Sequence, residues 1–162
     1  MNIYLIGLPA SGKTTVAKAL ANALEYPFID LDTEIEKDSL MFIESIFEKH
    51  GEETFRKLEA EALQKLPKDN TVIACGGGIV EVKQNKEALK GLVIYLDVDL
   101  DVIKKRIEDT FVRPILKLKS LEVLAESRFF KYRDFADYIV SNEGSLIETV
   151  EAIVKLYEEK QA

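Results

Sequence analysis

The run GLPASGKTT at residues 7–15 constrains this chain more than any other stretch, because of what flanks it. Before it stands the apolar, strand-like NIYLI (2–6). After it comes VAKALANALE (16–25), with Val16, Ala19, Leu20, Ala23 and Leu24 at helical spacing. Gly7, Gly12, Lys13 and Thr14 fit the spacing G-x-x-x-x-G-K-[ST] of a phosphate-binding loop between a strand and a helix. Glycines let such a loop wrap an anion with backbone N–H groups, and the helix amino terminus adds a favourable dipole. Lys13 is expected to reach the β and γ phosphates and Thr14 to offer its hydroxyl to Mg²⁺, with Ala10, Ser11 and Thr15 completing the contact. The loop therefore holds a nucleoside triphosphate. It leaves open which acceptor receives the phosphate.

Four further apolar runs read as buried parallel strands: PFIDL (27–31), TVIAC (71–75), LVIYLDV (92–98) and DYIVS (137–141). Amphipathic helices lie between and after them. Phe55, Leu58, Ala62, Leu63 and Leu66 form one apolar stripe, and Leu146, Val150, Ile153, Val154 and Tyr157 another. Alternating strands and helices predict a single α/β domain over 1–162, a three-layer α/β/α arrangement around a five-stranded parallel sheet. Two places break the alternation: a long helical stretch at about 34–66 and the irregular DTFVRPILKLKSLE at 109–122. Insertions of this kind collect beyond the carboxyl ends of the strands, where ligands bind in such sheets.

Three further features bear on the acceptor. Asp30 and Asp32 close the second run, and residues i and i+2 of a strand face one side, so both carboxylates are expected to point toward the phosphate loop. One suits a water-mediated Mg²⁺ contact, and the other suits orienting a hydroxyl or taking its proton. Locally, Thr33 and Glu36 also fit a T-x-x-E capping box. Only five of the 22 basic residues are arginine: Arg56, Arg106, Arg113, Arg128 and Arg133. In a chain that uses lysine wherever charge alone suffices, arginine marks sites for a planar bidentate fork on carboxylate or phosphate. Some of the five also read as surface ion pairs with neighbours such as Glu59 or Asp134, and for Arg133 that reading is preferred. Gly76, Gly77 and Gly78 follow the third run and permit close approach of backbone to ligand. Cys75 reads as a small core residue, and His50 as the end of a helix.

With these residues in view, the chain resembles the shikimate kinases, in the nucleoside monophosphate kinase-like P-loop group, over essentially its full length. GLPASGKTT, DLD at 30–32, FRKLE at 55–59, GGG at 76–78, RP at 113–114 and R-x-x-x-Y at 128–132 carry the resemblance. It implies transfer of the γ-phosphoryl group of ATP to the 3-hydroxyl of shikimate, on the route to chorismate and the aromatic amino acids. In that scheme Asp30 assists Mg²⁺ with Thr14, and Asp32 contacts the ring hydroxyls and orients the attacking one. Arg56 and Arg128 bind the substrate carboxylate beside Gly76, Gly77 and Gly78. Arg113 lies on a lid at 109–122 and reaches the ATP phosphates, Arg106 stacks on adenine, and 33–62 forms the substrate-binding region. Lys13, Asp32 and Arg113 are the implied catalytic set. Ala10 stands where many members have glycine, which the turns at Gly7 and Gly12 make tolerable. The adenine-side loop SNEGSL (141–146) lacks the arginine or proline some members carry.

A kinase of gluconate or a nucleoside monophosphate shares the loop and lid, and the discriminator is the acceptor pocket, where a carboxylate needs the Arg56 and Arg128 pair and hydroxyls need Asp32. A nucleotide-dependent switch is disfavoured, because the third run ends in Cys75-Gly76 and Asn85-Lys86-Glu87-Ala88 lacks the aspartate that selects guanine. A net charge of −7 argues against a general nucleic-acid binder. No segment has the roughly 18 apolar residues of a membrane span. With a strand expected from residue 2, no leader is expected, and the single cysteine suits a reducing cytoplasm. With every apolar stripe assigned to the sheet, a monomer is expected.

Overall fold

The computed structural model describes residues 1–108 and 120–162. Five strands, β1 (Asn2–Ile6), β2 (Phe28–Asp30), β3 (Val72–Ala74), β4 (Gly91–Asp97) and β5 (Tyr138–Ser141), form one sheet in the order β2-β3-β1-β4-β5. Every pairing is parallel, with Ile3 opposite Val72 and Leu92, and Ile94 opposite Tyr138. β1 is central, and the chain leaves it toward one edge while β4 leads to the other. The crevice beyond its carboxyl end is where such sheets bind ligands.

Helices cover both faces: α1 (Lys13–Leu24), α2 (Leu31–Ser39), α3 (Ile43–Gln64), the short α4 (Asn85–Ala88), α5 (Leu100–Glu108), α6 (Leu121–Phe135) and α7 (Leu146–Gln161). Side chains alternate along a strand, so β1 feeds two cores. Ile3 and Leu5 join Val16, Leu20, Ile153 and Tyr157 under α1 and α7. Tyr4 and Ile6 join Leu31, Ile35, Phe55, Leu124 and Tyr132 under α2, α3 and α6. Most of the apolar stripes anticipated at 16–24, 55–66 and 146–157 face the cores from α1, α3 and α7, but Ala23 and Leu146 are exposed, Ala17 and Ala21 take the buried places on α1, and Leu66 lies past the end of α3.

Local chemistry sets the element ends. Ser120 caps α6 by accepting from the Val123 amide at 3.2 Å, and Ser145 caps α7 by accepting from Glu148 at 3.2 Å. Leu121 and Glu122, expected to close the irregular stretch, open α6 instead, and Glu122 pairs with Lys104. The helical stretch at 34–66 divides twice, at the 40–42 turn and at Gly51, whose φ of 83° and ψ of 173° interrupt α3. His50 stands directly before that interruption.

Candidate active site

The phosphate loop closes on itself before it meets any ligand. The Ser11 amide donates to the Leu8 carbonyl at 3.1 Å, and Gly12 takes the left-handed cap position of α1. The Lys13 ammonium, almost wholly buried, donates to the carbonyls of Gly7 (2.7 Å) and Leu8 (2.8 Å) across the loop. Ala10 also adopts a positive φ, of 64°. The backbone turns are therefore not confined to Gly7 and Gly12. A left-handed conformation costs an L-residue about 1–2 kcal/mol, so Ala10 is a strained departure from glycine.

Beyond the loop opens a cavity of about 680 Å³, lined by Ala10, Gly12 to Thr15, Asp30, Asp32 and Arg106. A second cavity of about 140 Å³ lies beside it, lined by Phe47, Phe55, Arg56, Glu59, Gly76 to Gly78 and Arg128. Asp32 borders both.

The acidic pair is arranged differently from the expectation of one strand face. β2 stops at Asp30, whose carboxylate caps α2 by accepting from the Thr33 amide at 3.2 Å, and Asp32 lies in the first helical turn. Aspartate is a strong N-cap, and ending the strand there satisfies an otherwise orphaned donor. The proposed Thr33 and Glu36 capping box does not form. Glu36 instead accepts from the Ile43 amide at 3.0 Å and ties α2 to α3. The second oxygen of Asp30 accepts from the Thr14 hydroxyl at 3.1 Å, so the two residues assigned to the metal meet at the cavity wall. Among the described residues no group of three or more His, Cys, Asp and Glu is suited to a metal. The Thr14–Asp30 pair fits Mg²⁺, which typically takes one or two protein oxygens and the rest from phosphate and water.

The smaller cavity concentrates arginine. Arg56 donates to Glu59 at 3.0 Å and to Glu52 at 3.2 Å, so it combines ion pairing with a place in the cavity wall. Arg128 is fully buried, and none of its three side-chain nitrogens has a hydrogen-bond partner among the described residues; Glu81 is its nearest carboxylate, at 3.7 Å. A buried, unsatisfied cation facing a cavity calls for an anion. Gly78 lies so close to Arg56 that a Cβ there would collide with the guanidinium. The Gly77 carbonyl is anchored by the Tyr132 hydroxyl at 2.6 Å.

On the nucleotide side, Arg106 donates to the carbonyls of Ala10 and Asn142, both at 3.2 Å, and bridges the loop to the turn after β5. Cys75 is buried, and burial pushes its thiol well up. Arg133 forms no ion pair with Asp134, which pairs with Lys86 at 3.1 Å. It lies 3.7 Å over the Phe129 ring, where stacking on an exposed aromatic wins over a solvated carboxylate. Arg113 lies outside the described residues.

The family model for Shikimate kinase matches residues 9–158. The chain belongs to the shikimate kinase family. The shikimate kinase of Caldanaerobacter subterraneus is 42% identical over 96% of this chain and 95% of its own. That of Aquifex aeolicus is 41% identical over 95% and 94%. The solved structure of shikimate kinase from Acinetobacter baumannii in complex with shikimate has a TM-score of 0.89 at 34% identity, covering 98% of this chain and 93% of that one. A gluconokinase from Sinorhizobium meliloti, with a TM-score of 0.64 at 17% identity, shares the fold alone. The chain is thus an ATP-dependent kinase with the P-loop kinase fold.

Glu59, expected only as an ion-pair neighbour of an arginine, pairs with Arg56 and also lines the smaller cavity. It is 1% exposed, and burial pushes its carboxyl up from 4.5 to about 7, against the lowering influence of Arg56 and with a further rise from Asp32. Its position was a signal, since it falls on the apolar stripe between Phe55 and Leu63, where a charged residue needs a reason. Arg128 likewise interrupts the stripe of Leu124 and Tyr132 on α6.

Proposed function

We propose that the chain transfers the γ-phosphoryl group of ATP to the 3-hydroxyl of shikimate. The observation that carries this reading is Asp32 at the border between the phosphate cavity and a small pocket whose buried Arg128 lacks a hydrogen-bonding anion. A carboxylate on Arg56 and Arg128 would fix one end of a compact acceptor and leave its hydroxyls toward Asp32. Phosphoryl transfer needs little covalent help from protein and depends on positioning and charge stabilisation.

Lys13 would exchange its carbonyl partners for phosphate oxygens, and the N–H groups from Gly12 to Thr15 would cradle the β and γ phosphates. Thr14 and Asp30 would hold Mg²⁺, which when bound neutralises phosphate charge. Asp32 would orient the attacking hydroxyl and take its proton. Arg106 borders the nucleotide cavity and is assigned to the adenine side. Arg113 is assigned to the phosphates from a lid ahead of the Ser120 cap, which would exclude water as a competing acceptor. Gly76 to Gly78 would admit the ring close to backbone. We assign the working form as a monomer in the cytoplasm. Among the described residues no helix is long and apolar enough to cross a membrane.

The test is a phosphate-transfer assay with ATP against shikimate, gluconate and nucleoside monophosphates, repeated with an analogue whose carboxylate is a neutral amide. Shikimate alone should turn over well, and Arg56→Lys should weaken it by about 1.5–3 kcal/mol, the worth of a hydrogen bond between charged groups. The same mutation should add little to the loss already caused by the amide. Additive losses would separate Arg56 from the carboxylate.

A further inference from the structure

Asn142 joins the phosphate loop to the opposite end of the chain. It follows β5, is 7% exposed, and donates from Nδ2 to the Ser11 carbonyl at 2.7 Å. A carbonyl oxygen only accepts, so the NH₂ end of the amide must face Ser11. The other end, Oδ1, accepts from the Thr149 hydroxyl of α7 at 2.9 Å. The Asn142 backbone carbonyl receives Arg106, which also donates to Ala10. Two consecutive carbonyls of the phosphate loop, Ala10 and Ser11, are thus held by one connected network.

Holding Ser11 has a directional effect. The described peptide bonds are all trans, and the C=O and N–H of a planar trans unit point in opposite directions. Fixing the Ser11 carbonyl on Asn142 turns the Gly12 N–H away from Asn142. Gly12 has a φ of 97°, and a Cβ there would collide with Asn142 Nδ2, so the amide is packed directly against the turn it controls. We infer that Asn142 is a positioning residue: through Ser11 it aims the Gly12 N–H at the ATP phosphates, and Thr149 anchors the far end of its amide. This rests on residues 10–15 as the ATP site and adds a determinant from outside the loop.

The experiment measures ATP and shikimate binding by calorimetry, with kcat and KM for each, in full-length wild type, Asn142→Asp, Thr149→Val and Thr149→Ser. Asn142→Asp keeps the shape and the acceptor for Thr149 but cannot donate to Ser11. It should weaken ATP roughly 10- to 100-fold, the scale of a lost hydrogen bond to a charged group, and leave shikimate affinity within about two-fold. Thr149→Val should weaken ATP less, and Thr149→Ser should restore it. Adding Thr149→Val to Asn142→Asp should cost nothing further, because both act through one amide. Unchanged ATP affinity in folded Asn142→Asp, or equal loss for both ligands, would overturn the inference. Should Asn142→Asp fail to fold, equal ATP affinity in the two Thr149 variants would overturn it. A wild type that bound no ATP would instead overturn the ATP assignment of residues 10–15.

Discussion

Replacing Arg128 with methionine should stabilise the free protein while removing its hold on the acceptor. The guanidinium is fully buried without a hydrogen-bond partner among the described residues, and the 3.7 Å approach of Glu81 offsets only part of its desolvation. An unsatisfied buried polar group costs about 1–3 kcal/mol, more when charged. The three nitrogens belong to one delocalised cation and do not count separately. Methionine retains much of the stem packing beside Leu124 and Tyr132, whereas Glu59 and Glu81 lose a favourable charge. Glu81 keeps Lys131 at 3.0 Å and Glu59 keeps Arg56 at 3.0 Å, which limits that loss. A net gain of about 1–2 kcal/mol remains, or a Tm higher by about 2–8 °C for a domain of this size. Thermal unfolding with and without shikimate tests both halves. Ligand at one hundred times Kd stabilises by about 2.7 kcal/mol, so the wild-type Tm should rise by about 5–11 °C and that of Arg128→Met hardly at all. A Tm below wild type would make the arginine a structural strut. An undiminished shikimate-induced rise would take the carboxylate off Arg128.

Glu59→Gln should flatten part of the pH dependence of stability. The folded chain binds the Glu59 proton more tightly than the unfolded one, so between about pH 4.5 and 7 unfolding releases a proton and stability falls as pH rises. Denaturation at pH 5 and pH 8 should show wild type losing about 2–3 kcal/mol more than the variant over that interval; parallel curves would contradict a buried, raised carboxyl. Ala10→Gly should leave stability unchanged or raise it by up to about 1 kcal/mol, since relief of a left-handed alanine opposes the added entropy of the unfolded chain. A melting curve showing the usual loss for alanine to glycine would refute the strain. Gly78→Ala should displace the Arg56 guanidinium and raise KM for shikimate about ten-fold or more, the worth of one charge-assisted hydrogen bond, with KM for ATP nearly constant. An unchanged shikimate KM would mean that Arg56 is dispensable.

β1, β3 and β4 were legible because burial on both faces writes continuous apolar runs, and helices write stripes; the edge strands β2 and β5, also read as buried runs, are half-buried and largely exposed, since each has a neighbour on one side alone. The phosphate loop was legible because its glycines, lysine and threonine are contiguous. Arg56 and Arg128 could be chosen from a short list because arginine is scarce in this chain. Asp30 shows where such reading fails: strand alternation and helix capping competed for the same three residues, and the cap won by ending β2 at its own side chain. The strain at Ala10 was invisible because φ is set by the closed loop and not by the residue. Glu59 was visible as a partner for an arginine and as a charge on an apolar stripe, but its raised carboxyl required the packing around it. No pattern near Asn142 points to Ser11, since that contact spans 131 positions and depends on how β5 lies against the loop.

The interruption at Gly51 divides the acceptor pocket between two levers. Ile43 and Phe47 stand before it and belong to the part of α3 that Glu36 ties to α2, whereas Arg56 and Glu59 stand after it. A Cβ on Gly51 would meet nothing within 4 Å, yet its φ of 83° is one that other residues rarely adopt. The glycine therefore answers a backbone demand and not a crowding one. Because Glu52, Arg56 and Glu59 all follow the glycine, the arginine and its carboxylate partners share one helical segment, while the apolar wall from Ile43 and Phe47 belongs to another.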